Sequence, residues 1–555
     1  MPLTNRIPNR APALYLIPGM VLGLMLARTF AAPMEALLAG ATLSVLVSFW
    51  TNYKQRNHTL WMTSFLMCTT LAFWAYGLAR FPVKPDAFTL SMPEREATLV
   101  LDIKRVYRAN KMFQRTSGIA QVVRATNTSP VKEKSSVYFR LQIPKDSKFD
   151  LLRGQRLKAT GVLYPIIIEK GEDSFDAYLK ESGVHYSFVR TSKLELIKEA
   201  SAFDRFCINM NGRFEDSLRL GAPEDTHLTD IYVAMLLGKK AALSEQQNER
   251  FRISGTMHFF AISGLHIGVI ATVIAQCLLL LRVPRRYSPW IGLPLLYLYV
   301  EITGGAPSAV RAFLMTACFW ASYAIIRQRS PLGALAASAV AVLLIKPEQL
   351  WSVGFQLSYT VVLSILLFGL PLYESLSKHF RPFQSLPEDN WSNGHKLTAW
   401  TNDKVILLFS ISFSAWLASA PLSAGLFGSI APAATLLNML LVYLAAIVIT
   451  SGVIGLTVAT LSFGGLCSFI NHSSWVCLAA MDTLVVSSLQ IPGTVLVCEN
   501  FPKIISYISV LGFISIVIWM HQDRRRFESK QLLVAPVFII IMLSIGYLFS
   551  ELTAN

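Results

Sequence analysis

Three short segments carry the residues able to do chemistry in an otherwise apolar chain. Residues 255–268 read Gly-Thr-Met-His-Phe-Phe-Ala-Ile-Ser-Gly-Leu-His-Ile-Gly, with His258, Ser263, Gly264 and His266 at the mouth of an apolar run. Residues 305–315 set Arg311 inside a second run, and residues 354–358 set Gln356 and Ser358 inside a third. A charged side chain in hydrocarbon costs about 3 kcal/mol, so such residues face a cavity or a partner. Arg311 has two compatible readings. Its guanidinium contacts phosphate in a water-filled path, or it bridges to Glu301 across the Gly304-Gly305 turn.

His258 and His266 stand about 80° apart on an ideal helix and are predicted to share a face. Two histidines without a carboxylate make a poor metal site, so the expectation is a pore or broken-helix lining with no metal and no cofactor. Ser263 and His266 resemble a nucleophile and base, yet no acid is placed to orient the histidine. With no GxSxG and no P-loop, no catalytic residue is predicted. Ser263 and Gly264 either gate a pore or let the backbone bend and another helix approach. Gln356 and Ser358 point about 200° apart, so they cannot both line one narrow path, and Gln356 is taken as the lining residue.

A second constellation lies upstream. From Lys104 to Lys158 there are fourteen Lys/Arg against three acids, 14 − 3 = +11. Lys104, Arg105, Arg108, Lys111, Arg115, Arg124 and Arg140 alternate with Tyr107, Phe113 and Tyr138. Phosphates on the cations and bases on the rings would hold a single strand. A solvated domain facing anionic head groups is the plainer alternative.

The elements that position these residues follow from composition. With 53% apolar and 15% charged residues, the chain lies outside the soluble range. Its apolar runs have the length needed to cross a bilayer. The predicted fold is a polytopic α-helical membrane protein of about thirteen spans with an inserted small β-barrel. Three spans fill 1–80, at 14–30, 33–50 and 60–80. The first has no cleavage signature and is read as an uncleaved helix. Residues 81–202 form the basic β domain of about five strands, with Ala97–Ile103, Ser136–Ile143, Leu157–Leu163 and His185–Val189 among them. An amphipathic helical connector is expected over 203–252. Ten further spans fill 253–555, interrupted by a polar insert at 374–403. The seven cysteines show no paired spacing, and neither a disulfide framework nor a zinc site is expected.

Orientation follows from the distribution of cations. With the N-terminus inside, the inner loops hold Lys54, Arg56, Arg282, Arg285, Arg286, Arg327, Arg329, Lys378, Arg381, Lys396, Arg524, Arg525, Arg526 and Lys530. The short outer loops hold few, notably Arg28, Lys346 and Lys503. The β domain and the C-terminus then lie outside and the 374–403 insert inside.

The segments 238–268, Pro307-Ser308…Arg311-Ala312…Met315 and Gly354–Ser358 resemble the ComEC family of competence proteins, the membrane channels of natural transformation. A looser match runs through Pro421-Leu422, Phe427-Gly428, Pro432 and Asn438. The basic domain after three helices resembles the family's OB-like region. The resemblance implies transport of single-stranded DNA across a bacterial cytoplasmic membrane. It implies His258, Ser263, Gly264, His266, Arg311 and Gln356 as lining or gate. Besides DNA and membrane lipid, it implies a periplasmic DNA receptor and a cytoplasmic translocase or single-strand-binding protein as partners. The chain departs from the family in two ways. It has no HxHxDH motif and stops soon after its last apolar run, which implies that another protein supplies the nuclease or that the DNA arrives already single-stranded. After Asn438 it runs Met-Leu-Leu-Val-Tyr-Leu where the family usually has a proline. A transporter of a small anion or lipid-linked substrate would use the same intramembrane residues, and a membrane scaffold for a competence complex is a third reading.

Overall fold

The computed structural model describes residues 12–53, 58–81, 93–110, 115–125, 133–142, 151–167, 175–181, 183–222, 226–239, 242–324, 330–527 and 530–554. Lys111, Phe113, Lys54, Arg56, Arg327 and Arg329 lie outside them. Helices α1 (Leu16–Thr29), α2 (Met34–Tyr53) and α3 (His58–Arg80) open the chain. Close contact between α1 and α3 depends on Gly23, where a Cβ would stand 2.3 Å from the Thr70 carbonyl oxygen.

The basic segment closes into a five-stranded barrel of β1 (Arg95–Asn110), β2 (Arg115–Ala125), β3 (Ser136–Gln142), β4 (Arg156–Pro165) and β5 (Val184–Lys198). The order around it is β1-β2-β3-β5-β4, with only the β3–β5 pair parallel, consistent with an OB-fold. Alternation along the strands drives closure: Leu99, Leu101 and Ile103 point inward with Val137, Phe139 and Leu141. Strand β2 is absent from the four runs named from sequence, because Gly118 reads as a break. In the structure Gly118 lies within β2 opposite a bulge in β1, and a Cβ there would stand 1.9 Å from the Arg105 carbonyl oxygen. A short helix, α4 (Phe175–Glu181), packs on the outside of the barrel.

Residues 202–253 are more than an amphipathic connector. Helix α5 (Ala202–Leu218) is two-faced, but in α6 (Thr226–Leu237) every residue from Ile231 to Leu237 is buried, at the centre of the largest core. Seven consecutive apolar residues leave no polar face, and the helix is enclosed on all sides. Helix α7 (Glu245–Ile253) ends this section with a Ser244–Gln247 capping box.

The membrane bundle follows with α8 (Gly264–Leu280), α9 (Ser288–Ile302), α10 (Pro307–Ala324) and α11 (Pro331–Ile345). Helix α12 (Val353–Ser364) runs through a π turn at Ile365–Gly369 into α13 (Leu370–His379). Then come α14 (Asn393–Phe427), β6 (Ser429–Ile430), α15 (Ala434–Thr460), α16 (Gly464–Leu489), β7 (Leu496–Val497), α17 (Lys503–His521) and α18 (Val534–Ala554). Among the described residues, nine helical stretches are long and apolar enough to cross a bilayer, which makes this a multi-pass membrane protein; α1, α9 and α11 are shorter. The 374–403 insert is largely helical, since α13 and α14 extend into it and leave 380–392 between them.

Candidate conduit at the barrel side of the bundle

The barrel is clasped to the bundle at the turn between α9 and α10. Gly304 and Gly305 both take positive φ there, which a side chain would oppose. Arg153 of the barrel reaches Glu301 at 2.6 Å, Arg105 Nη2 donates to the Gly305 carbonyl at 3.3 Å, and Asn211 Nδ2 donates to the Ile302 carbonyl at 2.9 Å. Glu301 therefore pairs with Arg153 and not with Arg311. Glu301 ends α9 facing the barrel, whereas Arg311 lies inside α10 and turns toward α12.

Arg311 is buried, with 5% of its surface exposed. Its Nη2 donates to Ser358 Oγ at 3.1 Å and its Nη1 to Gln349 Oε1 at 3.4 Å. The guanidinium lies over Gly354, where a Cβ would come within 2.9 Å of Nη2. Two neutral groups, Ser358 Oγ and Gln349 Oε1, are thus among the acceptors that fix the guanidinium in place. Gln356 faces elsewhere, with Nε2 on the Leu350 carbonyl and Oε1 accepting from Tyr507 at 3.5 Å. It is Ser358 that shares a site with Arg311.

Gln349 belongs to the connection between α11 and α12, flanked by Lys346 and Glu348. Burial pushes the Lys346 ammonium below its ordinary range, and the nearby Arg105 and Lys104 push it further, with Glu348 opposing. Burial raises the Glu348 carboxyl, opposed by Lys346 and Arg80. Lys104 and Arg105 on the barrel, Lys346 on the connection and Arg311 in the membrane therefore cluster at the mouth of the bundle, with Lys104 paired to Asp102 at 3.1 Å and Glu348 among them.

The 255–268 segment is tied to the same region, since Ser308 Oγ at the start of α10 donates to the Ile262 carbonyl at 2.6 Å. The two histidines do not share a helix face as the sequence suggested. His258 sits in a 3-10 turn, the chain is non-helical through Ser263, and α8 begins only at Gly264. His258 is exposed, with Nδ1 3.0 Å from the Gly255 carbonyl oxygen. His266 is fully buried and cannot line an open path. Its Nδ1 accepts from the Ser263 backbone N–H at 3.3 Å and lies 3.0 Å from Ser263 Oγ, so His266 and Ser263 cap α8. Gly264 has open space where a Cβ would be, so it serves no close helix approach.

On the barrel, Lys104, Arg124 and Arg140 are exposed, while only strand positions are described for Arg108 and Arg115. Of the rings expected to stack bases, the two among the described residues are otherwise engaged. Tyr138 is 6% exposed and meets Phe175 of α4 edge-on at 5.3 Å, and Tyr107 meets the same ring at 6.1 Å. Helix α4 covers them because Leu179 buries fully in the small core they share, and Phe175 lies edge-on to both rings.

The family model described as Competence protein matches residues 235–523, which include all three intramembrane motifs and exclude the barrel. The chain belongs to the competence protein family. It is 27% identical over 243 residues to ComE operon protein 3 of Bacillus subtilis (strain 168), an alignment covering 43% of this chain and 31% of that protein. It is 26% identical over 227 residues to an uncharacterized protein of Aquifex aeolicus (strain VF5), covering 40% of this chain and 46% of the relative. The chain thus spans about a third and about half of these relatives. No solved structure matches it.

Several contacts in this competence protein were not foreseen from its residues. Arg153–Glu301 joins positions 148 apart, and Gln349 and Lys346 sit in a connection whose facing partner no local pattern reveals. A further carboxylate, Asp482, lies within α16 and meets His227 Nε2 at 3.2 Å, while Gln247 Nε2 stands 2.8 Å from His227 Nδ1. An acid in a spanning helix is a local signal that could have been read. Here it ties α6 and α7 to the bundle.

Proposed function

We propose that the chain conducts single-stranded DNA across the cytoplasmic membrane of a bacterium during competence. The observation that carries this reading is the cluster of cations from the barrel through Lys346 to Arg311, beside the motifs of a competence protein. The exposed cations of the barrel capture the strand from outside, and Arg311 offers the first fixed positive charge within the bundle. The positive-inside distribution supports this sidedness: if the barrel is outside, the 301–306 turn and 346–352 connection that meet it are outside too. Moving one phosphate charge inward against 100 mV costs about 2.3 kcal/mol, so entry needs a pulling partner or a coupled gradient. A periplasmic receptor delivers the DNA, and a cytoplasmic translocase or single-strand-binding protein draws the strand in.

Transformation of a naturally competent host, with and without this gene, tests the reading. Deletion should abolish transformation by added DNA and leave transformation by electroporation unchanged. Equal frequencies by both routes would remove DNA entry as the function and return the small-anion transporter to first place.

A further inference from the structure

Helices α12 and α13 form one helical run of 27 residues, about 40 Å at 1.5 Å per residue. It starts beside Arg311 on the barrel side and ends on the far side of the bundle. There a cavity of ≈ 590 Å³ opens, lined by Ser377, Lys378, Arg381, Trp391, Asn402 and Asp403 among others. That volume suits a small-molecule site.

Its chemistry is specific. Lys378 and Arg381 supply positive charge. The carboxylate of Asp403 is already engaged, accepting from the Tyr373 hydroxyl at 2.6 Å on Oδ1 and lying 3.7 Å from Lys404 Nζ on Oδ2. Trp391 is half-buried and held in place, with Nε1 donating to the Leu386 carbonyl at 3.1 Å and Phe383 edge-on at 6.1 Å. An anchored indole beside two cations is a stacking plane next to a phosphate site.

We propose that this cavity takes one nucleotide unit of single-stranded DNA as the strand leaves the bundle, with phosphate on Lys378 and Arg381 and base against Trp391. The proposal rests on the DNA-conduit reading. The helix that begins under Arg311 ends at Lys378, so a strand following it past the first charge arrives at the second.

The test places the photoreactive p-benzoylphenylalanine at Ala399, another lining position, in the full-length protein in nanodiscs, with fluorescent dT10 as probe. Crosslinking should occur, and Lys378→Gln with Arg381→Gln should weaken it about tenfold, flattening its log–log salt dependence by about 1.4 for two lost phosphate contacts. Exchanging the charges (Lys378→Arg with Arg381→Lys) should retain it, which separates charge from folding. Unlabelled dT10 should compete strongly and dTMP weakly at equal nucleotide concentration. Absence of a crosslink, indifference to the Gln pair, or equal competition by dTMP, the mark of a free-nucleotide pocket, would each overturn the proposal. DNA passage without a crosslink at position 399 would overturn the pocket alone and leave the conduit reading standing.

Discussion

Replacing Arg311 by alanine should lower natural transformation on the order of 10²-fold while the protein accumulates at normal levels. The guanidinium is held by Ser358 and Gln349 over Gly354, in a buried position that an alanine leaves empty. Removing a buried hydrogen-bonded cation costs about 3 kcal/mol, which for a rate-determining contact corresponds to about 150-fold. Arg311→Lys keeps the charge but loses the fork that spans two acceptors, so it should fall between wild type and alanine. Gly354→Leu should mimic the alanine variant, because its side chain would displace the guanidinium. Immunoblots separate loss of function from loss of protein. Normal transformation by Arg311→Ala would make the arginine a structural tie and favour a scaffold role.

The second large effect concerns the barrel. Lys104→Gln, Arg124→Gln and Arg140→Gln combined should weaken single-stranded oligonucleotide binding by the full-length protein about 100-fold at low salt. The log–log salt slope should flatten by about 2, for three lost contacts at about 0.7 each. These three side chains point outward, whereas Arg105 and Arg153 hold the barrel to the bundle, and replacing those would confound capture with docking. Tyr138→Ala should act differently. Its ring fills a small core with Ile166, Leu179 and Val184, so its removal should destabilise the barrel by about 3–5 kcal/mol. A Tyr138→Ala protein of unchanged stability but weaker binding would restore the ring as a stacking platform. An unchanged salt slope in the triple variant would dismiss the barrel as the receptor.

The architecture was largely legible in the sequence because lipid and barrel each impose a simple pattern. Apolar runs marked the helices, and alternation such as Leu99-Val100-Leu101-Asp102-Ile103 marked the strands. What escaped depended on context. Gly118 reads as a turn residue and is a strand residue beside a bulge. Ser263-Gly264-Leu265-His266 contains its own helix start, yet the continuous apolarity around it suggested one helix from 256 and so a false angular relation between His258 and His266. Arg311 was recognisable as unusual, but Gln349 lies 38 residues away in the connection before α12 and Ser358 47 residues away on α12, and Glu301 was nearer in sequence and wrong. The rings of Tyr107 and Tyr138 were legible as aromatics among cations. That α4 would cover them was not, because Phe175 begins a seven-residue helix too short to be recognised by periodicity.

The most direct measurement is entry of labelled dT20 into proteoliposomes holding the protein with its barrel outward, under an imposed potential. With the interior positive, each phosphate gains about 2.3 kcal/mol per 100 mV, replacing the cellular motor by a known force. The account predicts nuclease-protected dT20 inside at that polarity, little at the opposite one, and little at either with Arg311→Ala. Entry of small anions without entry of dT20, or dT20 entry indifferent to polarity and to Arg311, would contradict it.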